Sequence, residues 1–433
     1  MSTEYKKIAF HTMGCKLNFS ETSMISKDFT RRGFKKVGYK DFADFYVLNT
    51  CSVTDNADKE ARKLIRQAKR INPNSKVAVI GCYAQLNPDE IFNIKGVDLI
   101  IGSEKKFNLL NELDSIDIAG ETKVIRADIS ETHSFKPSYS IGDRTRSYLK
   151  IQDGCDYVCS FCTIPLARGK SRNDSVKKTI QLANQAIREG AKELVLTGVN
   201  IGDFGKSSNE SFLSLIQELD KLDIERLRIS SIEPNLLSKE IINFCSSSKK
   251  IMPHFHIPLQ SGSDKILTLM RRRYKRSTYF ECVKMIKNVI PDATIGADVI
   301  VGFPGESDDD FVETVQFIDK LKISYLHVFT YSERPNTDAI KLDNKVDNKT
   351  RAKRSAILRK FSQKMLREHQ NKFVKSSRPV LFEYLRNDKI VGYTDNYIKV
   401  GVQADSSIIN TIQNVKLFDY RDEYIDGELA DLA

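Results

Sequence analysis

The sequence of 433 residues contains no tryptophan, and no apolar run approaches the roughly 18 residues that a membrane-spanning helix needs. The first residues also lack the apolar stretch of a signal peptide. We therefore expect a soluble protein in the cytoplasm, where thiols stay reduced. A hydrophobic content of 40% and a charged content of 29% exclude a disordered tail protein, a collagen-like chain and a small disulfide scaffold.

Cysteine is scarce, with eight residues, but three of them form the motif Cys155-x3-Cys159-x2-Cys162. Eight cysteines in 433 positions produce a fixed spacing of three by chance only about three times in a thousand. Three thiolates on a four-iron cluster leave one iron open for a substrate or cofactor. A zinc site would need a fourth ligand nearby, and none follows within about 20 residues. The motif therefore favours an iron–sulfur cluster.

Three further cysteines, Cys15, Cys51 and Cys82, each follow a predicted strand in the first part of the chain. The carboxyl ends of parallel strands meet at one edge of a sheet, so these thiols are expected to converge there. A buried, unreactive cysteine is the alternative for any one of them. Their shared position favours a second metal-binding set.

Charge is uneven along the chain, whose net charge is +11. Residues 349–378 hold eleven Lys or Arg and one acid, and their apolar residues recur at helical spacing. This pattern predicts an amphipathic helix of up to about 27 residues with a basic face, and a second basic run lies at 271–276. A solvated helix face is one interpretation, and contact with nucleic acid is the other. The candidate RNA-binding residues are Arg351, Lys353, Arg354, Arg359 and Lys360.

Alternating strand and helix signals predict an α/β fold of several units. Residues 1–128 indicate a doubly wound domain with a parallel sheet, and the Ser-, Thr-, Pro- and Gly-rich residues 129–146 indicate a linker. Six β/α repeats then predict a partial (βα)6 barrel, which with the basic helix spans 147–376. Short β-branched and aromatic runs in 377–433 predict a small all-β barrel. The six barrel strands are expected at 147–151, 193–197, 226–230, 254–258, 294–301 and 325–331.

The stretch from Ile151 to Cys162 resembles the radical S-adenosylmethionine (SAM) enzymes. The resemblance implies that SAM binds the open iron through its methionine group, and that the reduced cluster cleaves it to a 5′-deoxyadenosyl radical. It also implies that Phe161 packs near the adenine and that the turn with Gly198 and Asn200 binds the amino group. Glu233 and Gln260 follow the third and fourth predicted barrel strands, so we expect Glu233 to bind the ribose and Gln260 to reach the cofactor or substrate.

The whole chain resembles the methylthiotransferases, on the motifs around Cys15, Cys51 and Cys82, on residues 167–172 and on residues 302–306. The resemblance implies two [4Fe-4S] clusters, SAM, an RNA-binding β module called TRAM, and an electron donor such as flavodoxin or ferredoxin. Gly14-Cys15-Lys16-Leu17-Asn18 and Gly81-Cys82-Tyr83-Ala84-Gln85 are most similar to the branch that modifies threonylcarbamoyladenosine at position 37, in the tRNA anticodon loop. The isopentenyladenosine branch more often has Gly-Cys-Gln-Met-Asn.

Three alternatives stay open at this point. The target could be isopentenyladenosine-37, or an aspartate of a ribosomal protein, or the chain could be an iron–sulfur RNA-binding protein without radical activity. The sequence also departs from the family pattern after the last barrel strand, where Asn336 replaces a glycine. We expect that turn to survive, because asparagine tolerates left-handed backbone angles.

Overall fold

The computed structural model describes residues 6–51, 55–113, 121–140, 142, 145–206, 208–421 and 423–430. Residues 52–54, which end the predicted motif around Cys51, lie outside the described residues. No described helix is both long enough and apolar enough to cross a membrane.

The first unit is a six-stranded parallel sheet with strand order β2-β1-β3-β4-β5-β6. Neighbouring residues along its strands alternate between two hydrophobic clusters, one shared with α2 and the other with α1 and α5. Helices therefore cover both faces, and the predicted doubly wound fold is confirmed. The elements are β1 (Lys7–Thr12), α1 (Lys16–Arg31), β2 (Lys35–Val37), β3 (Phe45–Thr50), α2 (Asp55–Ile71), β4 (Lys76–Gly81), α3 (Cys82–Leu86), α4 (Pro88–Phe92), β5 (Leu99–Ile101), α5 (Leu109–Leu113) and β6 (Lys123–Ile125).

The second unit is an open barrel of six parallel strands. One sheet has the order β10-β9-β8-β7 and the other β11-β12-β13, and isolated bridges join β10 to the chain around β11. The predicted partial barrel is confirmed, with a short antiparallel strand, β7, added beside β8. Its elements are β7 (Ser138–Tyr139), β8 (Arg146–Lys150), α6 (Ile164–Arg168), α7 (Val176–Arg188), β9 (Glu193–Thr197), α8 (Phe212–Asp220), β10 (Arg226–Ile229), α9 (Lys239–Ser247), β11 (His254–His256), α10 (Asp264–Leu269), α11 (Arg276–Val289), β12 (Thr294–Val301), α12 (Asp308–Leu321) and β13 (Tyr325–Thr330).

The basic helix, α13 (Asn348–Asn371), is 24 residues long and packs against β13 and β12. Its apolar side buries Leu358 and Met365 in the barrel core. Five strands then form a closed barrel in the order β14-β15-β16-β18-β17, as predicted for the last unit. They are β14 (Ser377–Arg386), β15 (Lys389–Thr394), β16 (Lys399–Val402), β17 (Ile412–Arg421) and β18 (Tyr424–Leu429).

Candidate active site

Cys15, Cys51 and Cys82 follow β1, β3 and β4, which are neighbours in the first sheet. The chain order reverses between β1 and β3, and the crevice beyond such a switch point is where open α/β sheets bind ligands. Gly14 has a φ of +83°, and a Cβ there would lie 2.8 Å from the Sγ of Cys51. Only glycine therefore lets the loop of Cys51 pack beside that of Cys15.

Hydrogen bonds from asparagine and threonine side chains hold the three loops together. The Nδ2 of Asn18 donates to the carbonyls of Met13 and Thr50, each at 3.0 Å. The hydroxyl of Thr50 donates to the carbonyl of Ile80 at 2.6 Å, and Asn49 donates to the carbonyl of Asn18 at 3.1 Å. These bonds link the loops before Cys15, Cys51 and Cys82, so the three thiols share one rigid edge.

The second set, Cys155, Cys159 and Cys162, lies in the loop between β8 and α6. The loop folds back on residues 169–172, where the amide of Cys155 donates to the carbonyl of Gly169 at 3.0 Å. Gly154 has a φ of +69°, and a Cβ there would lie 2.0 Å from the carbonyl oxygen of Lys170. A glycine is therefore required for this close approach.

Burial raises the pKa of Cys155 to about 12 and that of Cys162 to about 11. Burial also raises the pKa of Cys159, although its sulfur accepts a hydrogen bond of 3.1 Å from the Nη1 of Arg272. Such buried thiols become thiolates when a metal centre replaces their protons.

Arg272 is a functional candidate that the sequence reasoning missed. The basic run 271–276 favours a nucleic-acid contact, but the Arg272 side chain is only 5% exposed and pairs with Glu233. That pair places Glu233, a predicted cofactor residue, next to Cys159. Burial nevertheless holds the pKa of Glu233 above its ordinary value. For Arg272, contact with RNA is therefore wrong, because the guanidinium faces the cysteine loop.

The spacing of the thiols indicates which kind of metal centre each cysteine set can hold. Thiolates around one zinc ion lie about 3.8 Å apart, given a tetrahedral Zn–S bond of about 2.3 Å. Among the described residues, only His256, Asp298 and His327 bring three ligand atoms within 4.8 Å of one another. Both cysteine sets are therefore spaced more widely than one ion requires, and their all-sulfur donors fit a larger iron–sulfur cluster.

A cavity of about 210 Å³ opens beside Cys162. Phe161 and Gln260, two predicted cofactor residues, line it together with Asp298 and Arg334. Gln260 has a φ of +65°, a backbone conformation that is costly for a side-chain-bearing residue and that clusters at functional sites. The structure thus brings Phe161 and Gln260 to one cavity next to the cysteine loop.

Gly198 and Asn200 lie directly after β9, where the amides of Val199 and Asn200 both donate to the Oε1 of Gln152 at 2.9 Å. The Nδ2 of Asn200 donates to Asp203 at 3.0 Å. Its buried Oδ1 has no hydrogen-bond partner among the described residues. An unsatisfied buried acceptor is costly, and a donor on a bound ligand would satisfy it.

A buried ion network joins the two cysteine-bearing units. Glu21 of α1 binds Lys106, Lys150 at 2.8 Å and Arg168 at 3.1 Å, while Arg168 also contacts Asp153 at 3.0 Å. Arg168 further donates to the Oδ1 of Asn18 at 2.6 Å. Because Asn18 orders the first cysteine set and Asp153 begins the loop of the second, this network fixes the two loops relative to each other. Arg168 belongs to the motif at residues 167–172, but the sequence alone predicts no role for it.

The turn after β13 contributes a second contact between these units. Asn336 adopts a φ of +65°, so it takes the left-handed conformation expected of it. Arg334 in this turn lines the cavity and pairs with Asp58 of α2 at 2.6 Å.

Two of the five candidate RNA-binding residues are not available to RNA. Arg351 is 4% exposed and binds Glu333, and Arg354 is 5% exposed and binds Glu306 and Asp308. Both arginines face the barrel because α13 packs against β13, so their predicted phosphate contacts are corrected to structural ion pairs. The other three candidates, Lys353, Arg359 and Lys360, lie on the exposed side of α13.

Two family models match separate parts of the chain. Residues 7–102 match the uncharacterized protein family UPF0004, and residues 149–318 match the radical SAM superfamily. The structure is similar to TsrM of Kitasatospora setae, a radical S-adenosylmethionine methyltransferase, with a TM-score of 0.56 and 12% identity over 75% of this chain and 73% of that one. This likeness concerns the fold.

Curated relatives cover nearly the whole chain. The threonylcarbamoyladenosine tRNA methylthiotransferase MtaB of Bacillus subtilis is 37% identical over 98% of this chain and 96% of its own length. The MtaB of Aquifex aeolicus is 40% identical over 91% of this chain and 96% of its own. A tRNA-2-methylthio-N(6)-dimethylallyladenosine synthase of Endomicrobium trichonymphae is 31% identical over 97% of this chain and 99% of its own.

Proposed function

This chain belongs to the radical SAM methylthiotransferase family, and we propose that it adds a methylthio group to C2 of N6-threonylcarbamoyladenosine at position 37 of tRNA. The observation that carries the proposal is the pairing of two three-cysteine sets across one buried ion network. The identity of 37–40% to relatives named for this nucleoside supports the choice of substrate.

We propose that Cys155, Cys159 and Cys162 hold the radical-generating [4Fe-4S] cluster and that Cys15, Cys51 and Cys82 hold a second one. When bound, these clusters supply the electron that cleaves SAM and the open iron that carries sulfur. The protein holds both cysteine sets in place without a ligand, through the glycine turns and the side-chain hydrogen bonds described above. The Arg272 guanidinium stabilises negative charge on the sulfur of Cys159.

The SAM site is proposed to lie between the cysteine loop and the carboxyl ends of the barrel strands. Phe161 would pack against the adenine, and Gln260 would face the cofactor or the target base, since both line the same cavity. The turn of Gly198 and Asn200 would receive the ammonium of the methionine group, for which the unpaired Oδ1 of Asn200 is a suitable acceptor. Glu233 would bind the ribose.

The RNA is proposed to contact the exposed face of α13 and the C-terminal β barrel. Lys353, Arg359 and Lys360 would neutralise phosphates, which fixes position without reading sequence. A base in the anticodon loop is single-stranded, so it enters a pocket at little unstacking cost. We further propose residues 1–128, 147–376 and 377–433 as the sulfur-carrying, radical and RNA-binding domains. Residues 129–146 would link the first two, and part of this linker, β7, pairs with β8 at the edge of the barrel sheet. We propose flavodoxin or ferredoxin as the electron donor and the cytoplasm as the location.

Anaerobic turnover tests the proposal. The reconstituted protein is mixed with SAM, reductant, a sulfur source and anticodon stem-loop RNAs that carry threonylcarbamoyladenosine, isopentenyladenosine or plain adenosine at position 37. We expect 5′-deoxyadenosine together with the methylthio form of threonylcarbamoyladenosine, identified by mass spectrometry. Product on the isopentenyladenosine RNA alone would assign the other tRNA branch, and 5′-deoxyadenosine absent from every reaction would reject radical activity.

A further inference from the structure

Two histidines and an aspartate meet on three neighbouring strands of the barrel, outside both cysteine sets. The Oδ1 of Asp298 in β12 lies 2.9 Å from the Nε2 of His256 in β11 and 3.3 Å from the Nδ1 of His327 in β13. All three ligand atoms lie within 4.8 Å of one another. The proposed radical chemistry gives this triad of side chains no role.

The strand register places the three side chains of the triad side by side. In the parallel strands β11, β12 and β13, His256 pairs with Gly296, and Asp298 pairs with His327. Alternate residues of a strand point to the same face, so Gly296 and Asp298 share one. The glycine places no side chain opposite His256, which can therefore reach Asp298. The backbone of Asp298 is fixed as well, since its carbonyl accepts a hydrogen bond of 2.8 Å from the amide of Gln260.

The triad borders the cavity beside Cys162 and is accessible from solvent. Asp298 lines that cavity, and so does Phe329, which lies two residues after His327 on the same face of β13. The side chain of His327 is 55% exposed, whereas those of Asp298 and His256 are 22% and 12% exposed. An ion can therefore reach the two more buried side chains past His327.

The donor atoms of the triad suit a divalent transition metal. Two histidines and one carboxylate bind zinc in some hydrolases and iron(II) in some oxygenases, and this set leaves at least one coordination position open. Tetrahedral bonds of about 2.0–2.1 Å separate neighbouring ligand atoms by about 3.3 Å. The two contacts of Asp298, at 2.9 and 3.3 Å, are close to that separation.

We propose that His256, Asp298 and His327 bind one divalent transition-metal ion, which zinc represents in the test below. The site is separate from both cysteine sets, and the inference does not depend on the proposed function. An ion held by Asp298 lies at the wall of the cavity, because Asp298 also lines it. Water or an oxygen atom of a molecule in the cavity then completes the coordination of the ion.

Zinc binding to the holoenzyme tests the inference, because the clusters then occupy both cysteine sets. The protein is dialysed anaerobically against micromolar Zn²⁺, and elemental analysis counts zinc and iron per chain. We expect one zinc ion per unaltered chain, with the iron content unchanged. His327→Gln and Asp298→Asn should each weaken zinc binding by at least about tenfold, since losing even an outer partner of a metal ligand costs about 10- to 100-fold in affinity.

His133→Gln is the matched control, because His133 is exposed and lies outside the triad, and it should leave zinc binding unchanged. X-ray absorption at the zinc edge identifies the ligands by bond length, about 2.0–2.1 Å for nitrogen or oxygen and about 2.3 Å for sulfur. Nitrogen and oxygen ligands would support the inference. Zinc bound through sulfur, or zinc binding undiminished in both triad variants, would overturn it. An unaltered holoenzyme that binds no zinc would also overturn it, because hydrogen bonds alone would then hold the triad together.

Discussion

Replacing Glu21 by glutamine tests how the two cysteine-bearing units are held together. The Glu21 side chain is 1% exposed and binds three cations, Lys106 and Lys150 and Arg168, of which the last two belong to the barrel unit. The substitution keeps the shape of the side chain and removes only its charge. It therefore addresses the ion network alone.

The expected cost follows from counting the buried charges. Glu21 and Asp153 together face four cations, namely Lys106, Lys150, Arg168 and Arg172. Without Glu21, Asp153 alone faces Lys150, Arg168 and Arg172, and Lys106 is left without its acidic partner. Removing one member of a buried ion pair costs about 3–5 kcal/mol of the free energy of unfolding. At about 2 °C per kcal/mol, the unfolding midpoint should fall by about 6–10 °C.

The assay is thermal unfolding of the holoenzyme under anaerobic conditions at neutral pH. Glu225→Gln is the matched control, since Glu225 forms an exposed ion pair with Lys192, and such pairs contribute at most about 1 kcal/mol. We expect a large shift for Glu21→Gln and almost none for Glu225→Gln. Equal shifts would refute the reasoning, because the network would then contribute no more than a surface pair.

The stability difference between the unaltered protein and Glu21→Gln should depend on pH, because Glu21 must be ionised to bind its cations. Burial would raise the pKa of Glu21, but Arg168, Lys106 and Lys150 hold it well below the ordinary value of 4.5. A carboxylate with a depressed folded-state pKa contributes stability that is complete above the unfolded-state pKa and disappears as the pH falls through the folded-state pKa. The gap between unaltered protein and Glu21→Gln should therefore be constant above about pH 5 and narrow below it.

Three other perturbations test the two cysteine sets, Arg272 and the exposed face of α13 separately. Cys15→Ala should lose about half of the iron and all methylthio transfer while still producing 5′-deoxyadenosine, whereas Cys155→Ala should lose 5′-deoxyadenosine as well; iron analysis and product assays distinguish them. Arg272→Met removes a hydrogen bond and a positive charge from Cys159, so the reduction potential of the radical cluster, measured by an EPR-monitored titration, should fall. Neutralising three exposed cations of α13 should lower the salt slope of tRNA binding by about 2, while Arg351→Gln should mainly reduce stability; an unchanged slope would contradict the RNA contact of Lys353, Arg359 and Lys360.

Periodicity and strand-end motifs predict the fold because they reflect local chemistry. The six barrel strands match β8–β13 closely, and the doubly wound sheet and the five-stranded barrel are also confirmed. Edge strands such as β2 and β6 were not predicted, since each is only three residues long and two of the three residues in each are exposed. Such short, polar segments carry no alternating pattern.

The residues whose roles the sequence did not predict correctly are those whose roles depend on tertiary contacts. Arg351 and Arg354 lie in a basic run that reads as a solvated face, but α13 is the outer helix of the last barrel strand, so one side of the run is buried. Arg272 binds Cys159 and Glu233, and Arg168 binds Glu21, and each of these three partners is more than 30 residues away in sequence. Long-range ion pairs of this kind leave no local sequence pattern. A motif can point to one residue of such a pair, but not to its partner.

The reaction and its substrate can be tested together in cells, by nucleoside analysis of tRNA from a strain that lacks this gene. We expect the methylthio form of threonylcarbamoyladenosine to disappear and threonylcarbamoyladenosine to accumulate. The unaltered gene should restore both levels, and the Cys15→Ala gene should not. An unchanged level of the methylthio form, or loss of the isopentenyladenosine product in its place, would contradict the proposed function.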